Sequence, residues 1–196
     1  MSDRCPWALS APDYLAYHDE EWGRPVTDDR GIYARLTLEA FQPGLSWLTI
    51  LRKREAFRAA FAHFDFERVA EFGDRDRERL LADPGIVRNR AKIDAAIANA
   101  RAAVELTGAG ESLARLAWSF RPASAEAPPD LDGVPATTPE STALAKDLKR
   151  RGFRFVGPTT AYALMQAVGI VNDHIEACSV RAEVEAERRA AIEALR

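Results

Sequence analysis

Cysteine is scarce in this chain: Cys5 and Cys178 are the two in 196 residues, which excludes a disulfide-dense scaffold. No run approaches the ~18 apolar residues of a membrane span. The N-terminal Met-Ser-Asp-Arg-Cys-Pro-Trp lacks the apolar core of a signal peptide. The expected setting is therefore the cytoplasm, with no membrane partner and with thiols that are free or metal-bound rather than bridged. Alternating Val, Ile and Thr are missing, which argues against a sheet, and no internal repeat is present. An excess of positive charge is missing too. Lys and Arg number 27 against 30 Asp and Glu, a net charge of -3, and that average speaks weakly against a nucleic-acid partner. With 47% hydrophobic residues, the composition fits a single domain over 1–196, expected to be a monomer, and rules out collagen-like and disordered chains.

What is present is helical periodicity, so an all-α fold is predicted. Asp28 and Asp29 precede an amphipathic run through Ile32, Leu36, Leu38 and Phe41, which Pro43-Gly44 stops. Ser46 then caps a second helix carrying Leu48, Ile50, Leu51, Phe57 and Phe61. Short helices are expected at 66–72 and 74–82, a long one at about 88–106 and another near 111–119. Residues 121–139 hold five of the eleven prolines and read as a long loop. Helices follow at about 140–151, 158–168 and 173–194, the segment 179–196 forming a solvated tail without an assigned function.

Three histidines occur. His63, between Ala62 and Phe64, reads as an ordinary partly buried side chain. His174 and Cys178 stand four apart, so a helix beginning near Asn172-Asp173 would place them on one face, a single turn apart. Cys5 and His18 lie near the other end of the chain. Two thiolates and two imidazoles are the ligand set of a closed structural zinc site, which would tie the chain ends together. A Cys5–Cys178 disulfide, or two cysteines acting as small buried hydrophobes, are the other readings the residues allow.

Six of the eight Trp and Tyr residues fall in the first fifty positions: Trp7, Tyr14, Tyr17, Trp22, Tyr33 and Trp47. Aromatic faces with polar handles suit a pocket that stacks a flat ring, though on residue types alone packing among themselves is the simpler use. Glu39 sits on the apolar run 32–41, and a carboxylate among rings favours a cationic ligand. Near the other end, Lys149-Arg150-Arg151-Gly152-Phe153-Arg154-Phe155-Val156-Gly157, followed by Pro158, links two predicted helices. Its glycines and the N-terminus of the next helix can approach an anion, and Lys149, Arg150, Arg151 and Arg154 add attraction for a nucleic-acid backbone. That pattern reads as a helix-hairpin-helix DNA-binding element at about 140–168 or as an ordinary helical hairpin with a solvated basic face.

Taken jointly, Arg4-Cys5-Pro6-Trp7, Tyr17-His18-Asp19-Glu20-Glu21-Trp22-Gly23, Leu38-Glu39-Ala40-Phe41-Gln42-Pro43-Gly44-Leu45-Ser46-Trp47, Arg151-Gly152-Phe153-Arg154-Phe155-Val156-Gly157 and Val171-Asn172-Asp173-His174 resemble the 3-methyladenine DNA glycosylase I family, from about residue 4 to residue 178. The resemblance implies a helix-hairpin-helix glycosylase fold: two helical lobes around a cleft that receives a flipped base. It implies a structural zinc on Cys5, His18, His174 and Cys178. It implies a base pocket of Glu39, Tyr17 and Trp47, lined or supported by Trp7, Tyr14 and Trp22, with Glu39 as the catalytic carboxylate and Leu45 as a wedge into the duplex. Gly152, Arg154, Gly157 and Arg151 would contact DNA. The implied activity is hydrolysis of 3-methyladenine from alkylated double-stranded DNA, leaving an abasic site and free 3-methyladenine.

Related glycosylases carry a catalytic Asp where this chain has Asn172, and no catalytic Lys is evident in the hairpin, so strand cleavage is not expected. Asp173 is read as a helix cap or as an orienter of a metal-bound histidine. Other classes consistent with parts of the pattern are a non-catalytic helix-hairpin-helix DNA-binding module and a zinc-stapled helical protein that binds a flat cation. Charge divides unevenly: residues 41–64, 84–101 and 146–157 together carry +10 and the remaining residues -13. An acidic protein with one basic, DNA-facing cleft is the expectation.

Overall fold

The computed structural model describes residues 4–124 and 126–195. Residues 1–3, residue 125 of the proline-rich loop and residue 196 of the tail lie outside the described residues. Ten α-helices follow in order: α1 (Pro12–Glu20), α2 (Asp29–Phe41), α3 (Trp47–Ala60), α4 (Phe66–Ala70), α5 (Asp74–Ala82), α6 (Arg90–Gly108), α7 (Leu113–Ser119), α8 (Pro139–Arg150), α9 (Pro158–Ala167) and α10 (Arg181–Ala194). No strand is found among the described residues, so the fold is all-α.

Helix starts are set by local chemistry. Asp28 accepts from the Gly31 amide, Ser46 from Thr49, Asn89 from Lys92 and Ser112 from Arg115, each satisfying one of the donors a helix N-terminus leaves open. α2 is buried on nearly every side: Ile32, Tyr33, Leu36, Leu38 and Phe41 join the core, and α3, α6, α7 and α9 pack around it. A polar residue late in α2 is therefore carried into the interior, which is why Glu39 is only 5% exposed.

The helices form two lobes. One runs from α3 to α7. The other joins the α8–α9 hairpin to the two chain ends, through Val26 N–H to Val168 O and through the Arg188 guanidinium to Ile170 O. The crossing of the chain ends is tight enough to require glycine. Gly169 has φ +77°, and a Cβ there would sit 2.6 Å from the Gly23 carbonyl oxygen. Pro43 breaks α2 from α3, and Lys92 of α6 secures the intervening turn: its Nζ donates to Phe41 O at 2.8 Å and Pro43 O at 2.6 Å. This buried lysine thus satisfies carbonyls that the end of α2 leaves open.

Two expectations need correction. Residues 171–180 are turns rather than the start of the last helix, which begins at Arg181. Arg181 explains it: its guanidinium donates to the carbonyls of Asn172 and His174, which a helix would have used within its own ladder. His63 is exposed rather than partly buried. It lies in a short turn, Ala62–Phe64, whose three residues all have positive φ, and Arg30 donates to its carbonyl.

Candidate functional site

The chain ends meet at a cluster of four buried side chains, Cys5, His18, His174 and Cys178, whose ligand atoms all lie within 4.8 Å of one another. Cys178 Sγ is 3.5 Å from His18 Nε2 and 3.5 Å from His174 Nδ1, Cys5 Sγ is 3.8 Å from His174 Nδ1, and the two nitrogens are 3.1 Å apart. His174 and Cys178 come together through consecutive turns, Cys178 N–H to Ile175 O and Arg181 N–H to Cys178 O, not along a helix face. No disulfide joins the cysteines.

Each imidazole has its remaining nitrogen occupied. His18 Nδ1 lies 2.7 Å from Asp19 Oδ1, and Asp19 is gripped in turn by Arg4; His174 Nε2 lies 3.0 Å from the Trp22 carbonyl. Those contacts fix the tautomers and turn His18 Nε2 and His174 Nδ1 toward the centre, an outer shell typical of a metal site. Burial pushes the Cys5 thiol up to about 12 and His174 down to about 4. Neutral imidazole is the ligating form. Asp173, by contrast, neither caps a helix nor touches a histidine: its Oδ2 accepts from Tyr162 and Gln166. Asp19, the residue directly after His18 in the Tyr17-His18-Asp19 motif, is the orienter.

Trp7 and Trp22 connect this cluster to a cavity. Their rings meet edge to face at 5.1 Å, Trp22 stands 4.7 Å from the His174 ring, and Trp7 5.2 Å from the His18 ring. On their other side is a cavity of about 300 Å³ lined by Trp7, Tyr14, Tyr17, Trp22, Glu39 and Trp47, together with Gln42, Ala163 and Gln166. The first six are the residues that the sequence singled out for a base pocket; Tyr33 stays in the core, bonded to Ala96 O. Gln42 and Gln166 were not foreseen. The signal for Gln166 was faint: one amide in an otherwise apolar stretch of α9.

The cavity is polar where it matters and unsatisfied there. The Glu39 carboxyl has no hydrogen-bond partner among the described residues, and burial pushes it up to about 8 against the pull of the Arg35 guanidinium. Tyr17, deeply buried and near Glu39, has its hydroxyl pushed well above the usual range by burial first and by the Glu39 charge second. Its ring lies 5.6 Å from that of Trp47, whose buried indole N–H has no acceptor. Buried polar groups left open in this way are rare and point to a ligand.

Beside this cavity, sharing Glu39, Gln42 and Ala163 with it, a second hollow of about 360 Å³ is bounded by Pro43, Gly44, Leu45, Thr159 and Thr160. Leu45 stands 39% exposed at the tip of its turn. The α9 N-terminus contributes Thr159 and Thr160, so the turn bearing Leu45 and the hairpin α8–α9 face one opening. Within the hairpin, Gly152 takes φ +92°, Phe153 and Val156 are buried, and Asn99 of α6 both accepts from the Arg154 amide and donates to its carbonyl.

The basic residues sort into two groups. Arg151 is bonded to Asp147 and Glu111, Arg54 to Glu21, Arg52 to Asp13, and Arg101 to the carbonyls of Ala70 and Phe72. The side chains of Arg88, Arg90, Lys146, Lys149 and Arg154 have no hydrogen-bond or ion-pair partner among the described residues, and Arg90 and Arg154 line the same cleft between α6 and the hairpin. Asn172 is buried, donates to Arg181 O, and leaves its Oδ1 without a donor.

With this geometry in place, comparison with known proteins is direct. Residues 7–182 match the methyladenine glycosylase family. DNA-3-methyladenine glycosylase 1 of Escherichia coli is 47% identical over 179 residues, covering 90% of this chain and 95% of that protein. DNA-3-methyladenine glycosylase of Haemophilus influenzae is 42% identical over 181 residues, 91% of this chain and 97% of that protein. A crystal structure of 3-methyladenine DNA glycosylase I superposes with a TM-score of 0.87 at 50% identity, over 90% of this chain and 98% of that one. The Staphylococcus aureus enzyme, studied for its recognition of 3-methyladenine, superposes at 0.86 with 34% identity, over 92% of this chain and 97% of its own. Matching sequence and superposing fold leave one conclusion: the chain belongs to the methyladenine glycosylase family.

Proposed function

We propose that this protein is a monofunctional DNA glycosylase that flips 3-methyladenine out of alkylated duplex DNA and hydrolyses its N-glycosidic bond, a step of base-excision repair. The observation that carries the reading is a buried carboxyl without a hydrogen-bond partner in an aromatic cavity beside an exposed leucine turn and a hairpin. Methylation at N3 makes adenine cationic. The π faces of Trp7, Tyr14, Tyr17, Trp22 and Trp47 and the carboxylate of Glu39 attract that cation, and its arrival favours the ionised form of Glu39 that burial opposes. A cationic base leaves as neutral 3-methyladenine when the bond to C1′ breaks and the bonding electrons pass to the ring. Water supplies hydroxide to C1′ and releases a proton, so the base needs no added acid. What the protein must contribute is extrusion, selection and stabilisation of the charge that develops on the sugar, and Glu39 is the carboxylate available for it.

Leu45 is the wedge that fills the gap in the duplex, and the hairpin from Gly152 to Gly157 holds a phosphate, with Arg154 supplying charge. The pairing of Arg151 with two carboxylates makes it a support for α8 more than a phosphate ligand. Zinc is the metal proposed for the four-ligand cluster. Tetrahedral zinc with sulfur at about 2.3 Å and nitrogen at about 2.0–2.1 Å has edges of about 3.5 Å between sulfur and nitrogen and about 3.3 Å between nitrogens. The separations above fit that set. Zinc there would hold Cys5, His18, His174 and Cys178 and, through Trp7 and Trp22, brace the cavity wall. The reading carries with it a monomer working in the cytoplasm.

The test is release of free 3-methyladenine from methylated DNA by wild type and by Glu39→Gln. Release by wild type that the variant loses is the expected result. A folded wild type that binds DNA and releases no base would leave the non-catalytic DNA-binding module as the answer.

A further inference from the structure

Gln166 lines the cavity from α9, and neither the residue pattern nor the family resemblance gave it a role. Its Nε2 donates to Asp173 Oδ2 at 2.8 Å, and the Tyr162 hydroxyl donates to the same oxygen at 2.6 Å. A carboxylate oxygen between two donors accepts from both. Turning the amide round would set the Gln166 carbonyl against that carboxylate, so Nε2 is held on Asp173 and Oε1, which has no donor among the described residues, is left for the cavity. The relay is protected: Tyr162 is 4% exposed and Asp173 9%. In such surroundings a satisfied network holds its geometry.

We infer that Gln166 determines specificity in the base cavity: its carbonyl oxygen, locked as an acceptor by Asp173 and Tyr162, takes a hydrogen bond from the exocyclic amino group of the bound base and rejects a purine with a carbonyl oxygen at that position. The inference rests on the glycosylase reading and deepens it. Both 3-methyladenine and 3-methylguanine carry positive charge while attached to the sugar, and both offer flat faces, so the aromatic rings do not tell them apart. Glu39, with its raised pKa, can hold a proton and so donate as well as accept. The Gln42 side-chain amide has no partner among the described residues and is free to turn. Gln166 is the one polar group in the cavity whose direction is fixed from behind, and a fixed acceptor facing a 6-oxo group is a mismatch, whereas facing a 6-amino group it is a bond.

The experiment measures 3-methyladenine and 3-methylguanine released from methylated DNA, by chromatography, for wild type, Gln166→Leu, Asp173→Ala, Asp173→Asn and Gln166→Leu/Asp173→Ala. Gln166→Leu keeps the bulk and loses the acceptor; its preference for 3-methyladenine should fall about tenfold. Asp173→Ala should change the preference by the same factor, and the double variant by no more than either single one. Asp173→Asn, whose Oδ1 can still accept from both donors, should stay near wild type. Metal content of the Asp173 variants, measured alongside because His174 is adjacent, separates a freed amide from a damaged cluster. A wild type that releases no 3-methyladenine removes the glycosylase reading and this inference with it. A wild type that does, with an unchanged preference in Gln166→Leu, overturns the inference alone, and factors that multiply in the double variant overturn the part given to Asp173.

Discussion

The two buried polar assemblies of this molecule share a wall and follow opposite rules. At the chain ends, every imidazole nitrogen has a neighbour: two face the sulfurs and each other, one is held by Asp19 and one by the Trp22 carbonyl. A few ångströms away, across Trp7 and Trp22, the Glu39 carboxyl lines the cavity with no hydrogen-bond partner among the described residues, and the buried Trp47 indole N–H has no acceptor. Complete satisfaction makes a staple; incomplete satisfaction makes a receptor, because a buried group that lacks a partner costs folding energy until a ligand supplies one. The contrast assigns the cluster to stability and the cavity to chemistry, and each can be disturbed separately.

Cluster damage should have the largest effect. Cys178→Ser, or exhaustive chelation of the wild type, is expected to cost about 4 kcal/mol or more and lower Tm by about 10 °C, since metal affinity that exists only in the folded state is folding energy. Elemental analysis should find about one zinc per chain before and none after. Equal Tm values with and without metal would end the view of the cluster as a staple. Binding of free 3-methyladenine should weaken as well, although no cluster ligand lines the cavity, because Trp7 and Trp22 lose their backing.

Glu39→Gln should do the reverse. Release of 3-methyladenine should fall by 100-fold or more, while stability rises with a definite pH dependence. The carboxyl titrates at about 8 in the folded protein against 4.5 in an unfolded one. Between those values the folded state holds a proton that the unfolded chain has released, so stability declines as pH rises through that window. The variant should therefore be more stable than wild type at pH 8, by an amount on the order of 2–4 kcal/mol, and nearly equal to it at pH 5. Thermal melts of both proteins at the two pH values check the sign. A difference that grows toward low pH would mean that Glu39 is charged and paired in the free protein.

These contrasts were legible in the sequence only in part. Caps such as Asp28 and Ser46 act within four residues, so α2 and α3 could be read from their own segments. The metal ligands could be read as residue types, yet the helix expected to carry His174 and Cys178 is absent: Arg181 takes the carbonyls of Asn172 and His174, and only the folded chain places it there. The same holds for contacts between distant segments. Asn99 fixes the Arg154 backbone from 55 residues away and Lys92 reaches Phe41 across 51, separations at which local pattern carries no information. A charge sum over sequence is likewise silent on pairing, since it counts Arg52, Arg54 and Arg151 without the carboxylates that hold them. Polar cavity residues on apolar helices, such as Gln166, look like incidental surface until packing shows which way they face.

Lys92 tests whether the receptor depends on a satisfied frame. Its ammonium group bonds the carbonyls of Phe41 and Pro43, at the end of the helix that carries Glu39 and at the start of the turn that carries Leu45. Lys92→Met keeps the aliphatic stem and strands two acceptors. A cost of about 2 kcal/mol is expected in denaturant unfolding, with a larger loss of activity on duplex DNA than of affinity for the free base, if Leu45 is the wedge proposed, because its turn is displaced while the aromatic walls stay. Parallel losses in both assays would show that the lysine supports the whole core and not the turn.

The smallest effects should fall on the hairpin, where two neighbouring arginines differ as the two assemblies do. Arg154 has no side-chain partner, while Arg151 is bonded to Asp147 and Glu111, which hold its charge in place and raise its pKa further. Arg154→Ala should leave stability within about 0.5 kcal/mol of wild type and flatten the salt dependence of DNA binding by about one phosphate contact, with little regard to sequence. Arg151→Ala should shift stability slightly, since partly exposed ion pairs contribute up to about 1 kcal/mol, and should leave the salt slope near that of wild type. Titrations of both variants against one duplex at several salt concentrations give the slopes. If the slope falls in Arg151→Ala and stays put in Arg154→Ala, the carboxylates release Arg151 on contact with DNA, and the division between satisfied and open groups fails at the surface even where it holds inside.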